Sequence, residues 1–156
     1  MSAPDPALGI KCISTIFGLN YDGSIDRGDN GVGAFENPKT GRLYRTANES
    51  IIGVSIPIPF YEETPNLSRS DVENGLATVT IQDQNGEYYF NLPVVDLGPG
   101  KNGHLIRGTD GPHLLDRTYA LCQLMKALDN VAITYWIIKN GEPYKVLGQD
   151  TPYILI

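Results

Sequence analysis

The chain has 156 residues, 41% hydrophobic and 19% charged, with 12 basic against 18 acidic side chains and a net charge of −6. That length suits one domain with a sizeable core, which excludes a disordered chain. The acidic balance speaks against a nucleic-acid or anionic-membrane partner, since both need clustered Lys and Arg, and no apolar run approaches the roughly 20 residues that span a bilayer. There are two cysteines and two histidines, Cys12, Cys122, His104 and His113, and no CxxC pair. A Cys/His zinc site is therefore not expected, nor is a cofactor, and the two cysteines are either bridged or free.

Residues 1–9 read as an N-terminal arm and residues 10–156 as a single domain. The arm opens Met-Ser-Ala-Pro-Asp-Pro-Ala, with neither a basic n-region nor an apolar h-region, so the chain as it stands reads as having no signal peptide. Residues 10–17, Ile-Lys-Cys-Ile-Ser-Thr-Ile-Phe, predict the first strand. Residues 18–45 hold Gly18, Gly23, Gly28, Gly31, Gly33 and Gly41 with Asp22, Asp26 and Asp29, and predict a long loop region of the kind that often carries function. Residues 51–59 are apolar and β-branched but carry prolines, which predicts a strand at a sheet edge. A short helical turn is expected near Ser70-Asp71-Val72-Glu73.

The clearest local signal follows. Residues 76–82 and 87–95 flank Asp83-Gln84-Asn85-Gly86, and Ala77, Val79 and Ile81 alternate with Thr78, Thr80 and Gln82. Asn-Gly between alternating runs predicts a hairpin with the positive φ values of a type I′ turn. Residues 96–112 read as loop. Leu114, Leu115, Leu121, Cys122, Met125 and Leu128 form one apolar stripe at helical spacing, and predict a helix over residues 117–128. Asp116 or Asp110 is placed to cap it. Residues 131–138 predict a strand, which Asn140-Gly141 turns into residues 144–147, and residues 153–156 a last short one. The sum is a mainly β chain of six to seven strands with one packed helix, a small β-barrel.

Three segments in this order resemble the double-psi β-barrel group, which contains the rare lipoprotein A-type lytic transglycosylases, the expansins and the family 45 endoglucanases. Ser14-Thr15-Ile16-Phe17-Gly18 looks like the group's opening strand. Val94-Val95-Asp96-Leu97-Gly98-Pro99 is similar to the Asp-Arg-Gly-Pro signature, with Leu for Arg. His113-Leu114-Leu115-Asp116-Arg117-Thr118-Tyr119-Ala120 looks like the Ile-Asp-Leu-Ser stretch that leads from a strand into the barrel's helix. The likeness implies a double-psi β-barrel with Asp116 or Thr118 at the helix start. The chain departs from the group in three ways. The interval over residues 100–112 is longer. Thr46-Ala47-Asn48-Glu49 stands where the transglycosylases carry a histidine. The cysteine clusters of expansins are missing.

The resemblance implies action on a cell-wall polysaccharide, most directly peptidoglycan, by a secreted or periplasmic monomer. Asp96, at the end of an apolar strand, is expected to be the general acid, because a carboxyl among apolar neighbours holds its proton. Its alternative is to accept N–H bonds from the following turn. Asp22 matches the second aspartate that family 45 enzymes carry after the first strand, and is the expected assisting group; the alternative is a solvated turn. The spacing of Asp22, Asp26 and Asp29 also resembles a loose calcium loop without the full ligand set. His104, His113, Asp116, Asn48 and Asp26 are expected as substrate contacts. Two further readings are a non-catalytic, expansin-like polysaccharide-binding module and a protein-interaction or inhibitor module on the same fold. Of the aromatic pairs Tyr88-Tyr89 and Tyr135-Trp136, strand alternation predicts that one member of each faces outward, available to a sugar ring.

Overall fold

A computed structural model describes residues 2–20, 22–25, 31–56, 68–98, 115–127 and 130–143. In chain order these form β1 (Ile10–Phe17), β2 (Glu36–Asn37), β3 (Arg42–Leu43), β4 (Val54–Ile56), α1 (Arg69–Glu73), β5 (Ala77–Gln82), β6 (Tyr88–Leu92), β7 (Val94–Leu97), β8 (Asp116–Thr118), α2 (Tyr119–Met125), β9 (Val131–Lys139) and β10 (Glu142–Pro143). Seven strands run in the order β6-β5-β9-β1-β8-β4-β7 in one curled mixed sheet, a half-barrel, and β10 joins it on β9. The small β2–β3 hairpin forms a separate sheet. The mainly β expectation therefore holds. The expected strands over residues 144–147 and 153–156 lie outside the described residues, as do residues 57–59. The described part of that segment, β4, is not the edge strand expected from its prolines, because it pairs with β8 on one side and β7 on the other.

β1 joins two kinds of pairing. Its first half, Ile10 to Ser14, runs antiparallel to β9, and its second half, Thr15 to Phe17, runs parallel to β8. The first half alternates as a strand with one covered face should: Ile10 and Cys12 are buried and Lys11 is exposed. From Ser14 onward every residue is buried. On β5, Ala77, Val79 and Ile81 face the core, and Val79 and Ile81 pair with Ile137 and Tyr135 of β9. Leu115, Leu121 and Met125 close the same core.

The expected hairpin is present, with a different turn. Asp83 N–H donates to Glu87 O at 2.9 Å and Gly86 N–H to Asp83 O at 3.1 Å. Only Gly86 of these residues has a positive φ, +83°, so the loop is not the two-residue type I′ form. That form appears instead at Asn140-Gly141, where φ is +54° and +82° between the paired residues Lys139 and Glu142. The strand expected over residues 87–95 is two strands. It breaks at Pro93, which lacks an N–H and cannot continue the ladder; Asn91, with a φ of +57°, lies within β6 where its register against β5 shifts. Beyond the break β7 pairs parallel with β4 instead.

The helix begins later than its apolar stripe indicates. Residues 116–118 are strand, held between β1 and β4, so Thr118 is the N-cap and accepts from Leu121 N–H at 3.4 Å; Asp116 does not cap. The turn expected near residues 70–73 is α1, closed by a capping box between Ser68 and Asp71. The arm is docked. Its 3₁₀ turn, Pro6–Leu8, follows Asp5, whose carbonyl accepts from Trp136 Nε1 at 2.8 Å. Trp136 is thus 1% exposed and Tyr135 fully buried, so neither member of that pair faces solvent. Tyr88 and Tyr89 are both half-buried. Cys12 and Cys122 are free thiols, both buried. Among the described residues no helix is long and apolar enough to cross a membrane.

Candidate functional site

A row of polar side chains crosses the sheet. Thr15 of β1 pairs with Asp116 of β8, Asp116 with Ser55 of β4, and Ser55 with Asp96 of β7. Residues directly opposite on adjacent strands project to the same face, so the four side chains lie side by side. Thr15, Asp116 and Ser55 are 4%, 2% and 2% exposed, whereas Asp96 is half-buried. The row is closed at the Thr15 end and opens to solvent at Asp96. The Thr15 hydroxyl donates to Asp116 Oδ1, and the Ser55 hydroxyl to Gly98 O at 3.0 Å. Asp96 Oδ1 accepts two backbone bonds, from Leu97 N–H at 2.8 Å and from Ala34 N–H at 3.0 Å. Such donors fix the direction of the carboxyl group.

The Ala34 bond comes from a strap over residues 31–35 that lies along the β7 edge. Phe35 N–H donates to Val95 O at 3.4 Å, Gly33 N–H to Tyr44 O at 2.8 Å, and Tyr44 N–H to Phe35 O at 3.0 Å. Gly33 is required by closeness: a Cβ there would lie 2.0 Å from Val95 O. Gly18 has the same kind of constraint from Thr46 O, 2.2 Å from its would-be Cβ, and a φ of +80° besides. On the strap's outer side Arg69 of α1 donates to Ala34 O, carries its guanidinium 5.4 Å above the Phe35 ring centre, and pairs with Glu73 at 2.7 Å. Ala34 is thus held by Arg69 at its carbonyl while its N–H holds Asp96.

On β8 the next residue, Arg117, is fully buried. Its Nε donates to Ser14 Oγ at 2.8 Å, and the Ser14 hydroxyl in turn donates to Leu115 O at 2.7 Å. This arrangement ties β1 to β8 beside the row. Thr118 completes the frame by accepting Gly53 N–H at 3.1 Å.

The expected site residues fall into three groups. Asp96 and Asp116 are brought into one row. Asp22 and Asn48 lie in exposed turns. Asp22 accepts the Ser24 hydroxyl at 2.6 Å and Ser24 N–H at 2.9 Å, which hold its carboxyl below the usual aspartate range, the hydroxyl contributing most. Among the described residues its side-chain partner is Ser24, and no hydrogen bond joins it to Asp96. Asn48 accepts Ser50 N–H at 2.9 Å and the Ser50 hydroxyl at 2.7 Å. His104, His113 and Asp26 lie outside the described residues. Sequence reading passed over Thr15 and Ser55 as site members, and also Gly33, Ala34 and Arg69. Thr15 stood inside a resembling segment and was legible to that extent. Arg69 had no local signal. No group of three or more His, Cys, Asp or Glu side chains that could hold a metal gathers among the described residues. No protein-family model matches this chain, and no curated protein matches it.

Proposed function

We propose that the chain is a double-psi β-barrel of the rare lipoprotein A, expansin and family 45 endoglucanase type. On this reading it acts outside the cytoplasm on cell-wall glycan, with Asp96 as the group that meets the polymer. One observation carries the reading: the three resembling segments, far apart in the chain, each send a residue into a single row. Thr15 comes from the first, Asp96 from the second and Asp116 from the third, with Ser55 between the last two. The two parallel pairs, β1–β8 and β4–β7, joined through antiparallel β4–β8, are further support for the double-psi connection.

Asp96 is the accessible carboxylate of the row, held in direction by Ala34 and Leu97. One carboxyl suffices for glycosidic cleavage without an activated water. It protonates the departing oxygen, then takes the proton of a sugar hydroxyl that closes on the anomeric carbon. Asp22, bonded to Ser24, is not needed for that sequence.

A second reading, a module that binds glycan without cleaving it, is favoured by the two N–H bonds on Asp96 Oδ1. They hold that oxygen as an acceptor in a fixed direction, which suits a group that binds a sugar hydroxyl.

Product analysis tests both. The protein is incubated with purified peptidoglycan and with cellulose, and the soluble fraction is read by mass spectrometry. Anhydro-muropeptides, lost in Asp96→Asn with the fold intact, establish the transglycosylase. Turnover retained in that variant ends the assignment to Asp96. Retention on a polymer with no product establishes the binding module. Neither product nor retention refutes the glycan reading.

A further inference from the structure

A second surface, next to the strap, has the chemistry of a ligand site. The β2–β3 hairpin and the turn after it enclose a groove of about 860 Å³, lined by Glu36, Arg42, Tyr44, Arg45, Asn48 and Ile51 among others. Among the described residues neither arginine side chain has a carboxylate partner; the ion pairs found there are Arg69–Glu73 and Lys139–Asp71. Among the described residues the Tyr44 hydroxyl has no hydrogen-bond partner, although the residue is half-buried. Asn48 uses its Oδ1 on Ser50, and its amide N–H₂ is uncommitted. Among the described lining residues Glu36 is the one acidic side chain, against two arginines, in a chain whose net charge is −6. A groove that offers two guanidinium forks, a phenol and an amide N–H₂ is complementary to a ligand rich in acceptors and carrying negative charge.

The groove is also coupled to Asp96. Tyr44 is hydrogen-bonded to Gly33 and Phe35, the two neighbours of Ala34, and Ala34 N–H holds the Asp96 carboxylate. A polymer seated over the hairpin therefore meets a wall built on the same strap that orients the row.

We propose that this groove is a subsite for an acidic sugar. Its carboxylate is gripped by Arg42 and Arg45, and its ring hydroxyls meet Tyr44 and Asn48. The proposal rests on the glycan reading of the site and names a property of the glycan: it carries carboxylates. Arginine suits this role better than lysine because its planar fork meets both oxygens of a carboxylate.

The test is a calorimetric titration with oligogalacturonate and with the same oligomer after its carboxylates have been reduced, so that only charge differs. The proteins are the full chain, the double variant Arg42→Gln/Arg45→Gln and the double variant Arg42→Lys/Arg45→Lys, each checked for fold by circular dichroism. The wild-type chain is expected to prefer the acidic oligomer by about tenfold or more, and to lose that preference as salt is raised. The glutamine variant is expected to bind both oligomers alike, and the lysine variant to keep only part of the preference. Equal binding of the two oligomers by the wild-type chain overturns the proposal. So does a preference that survives in the folded glutamine variant, or equal binding of a polyglutamate chain, which marks a general anion site. These results are separable from the fate of Asp96. Product release that depends on Asp96, with no acidic preference, removes only the subsite. An acidic preference that depends on the arginines, with the polymer retained but no product released, leaves the subsite standing and removes the catalytic role given to Asp96.

Discussion

Replacing Gly33 with alanine tests the joint between the fold and the site. The φ of Gly33 is not in the left-handed region, so alanine is not strained there for backbone reasons and the substitution isolates close approach. Its new Cβ would stand 2.0 Å from Val95 O and 3.1 Å from Val95 C, both backbone atoms. Ordinary non-bonded contact is about 3.5 Å, so the strap and β7 must part by roughly 1.5 Å. That separation breaks the Phe35–Val95 bond, already 3.4 Å long, and the Ala34–Asp96 bond of 3.0 Å. The first contributes about 0.5–1.5 kcal/mol and the second, to a carboxylate, about 1.5–3 kcal/mol. Alanine also restricts the unfolded chain, which offsets about 0.4–1 kcal/mol. The expected net loss is about 1–4 kcal/mol, read as a lower urea midpoint at unchanged slope. Hydrogen exchange at the Ala34 amide should accelerate with it. Gly41→Ala is the control. It sits at a φ of +68° with nothing within 4 Å, so it should cost about 1 kcal/mol in backbone strain and leave the Ala34 amide protected. If Gly33→Ala stays within about 0.5 kcal/mol of wild type with the Ala34 amide equally protected, the strap is not pinned at this point and the account of how Asp96 is held is wrong.

Other consequences are independent of that one. Thr15→Val keeps the shape but removes the donor to the buried Asp116 carboxylate, and should destabilise the chain by about 1.5–3 kcal/mol in the same urea assay. Deleting residues 2–8 removes the Asp5 carbonyl from Trp136, the only tryptophan, so its fluorescence should shift to the red; an unchanged spectrum would contradict the docked arm. Cys12 and Cys122 should react with a thiol reagent only after denaturant is added, and non-reducing electrophoresis should show no bridge. Tyr89 is pushed up to about 12 from 10.0, chiefly by burial and then by Glu87 and Asp83. Above pH 10 the unfolded chain therefore loses this proton first, and stability falls from about pH 10 to about 12. Tyr89→Phe should remove part of that fall. The remainder persists because burial also raises Tyr135, and a variant with the wild-type pH profile would refute the assignment to Tyr89.

What the sequence determined by itself was local. Alternation located β5, because facing the core or facing solvent on one strand is a property of consecutive residues. The apolar stripe of Leu121, Cys122 and Met125 located α2, and the run Ser70-Asp71-Val72-Glu73 located α1, for the same reason. The same reading could not place Asp116, whose position before an apolar stripe looks like a cap. It is strand because Thr15 and Ser55 pair with it on either side. It could not separate β6 from β7 either, since the partner that draws β7 away is β4. Asp96 was legible as a carboxylate at a strand end, but the bonds that orient it were not. Ala34 stands 62 residues earlier, as Thr15 stands 101 residues before Asp116. Arg69 and Gly33 matter only through a strap that exists once β7 is in place. Residue types and local periods are written in order along the chain. The site is a relation among residues that only sheet register brings side by side, and register is decided by the whole core closing at once.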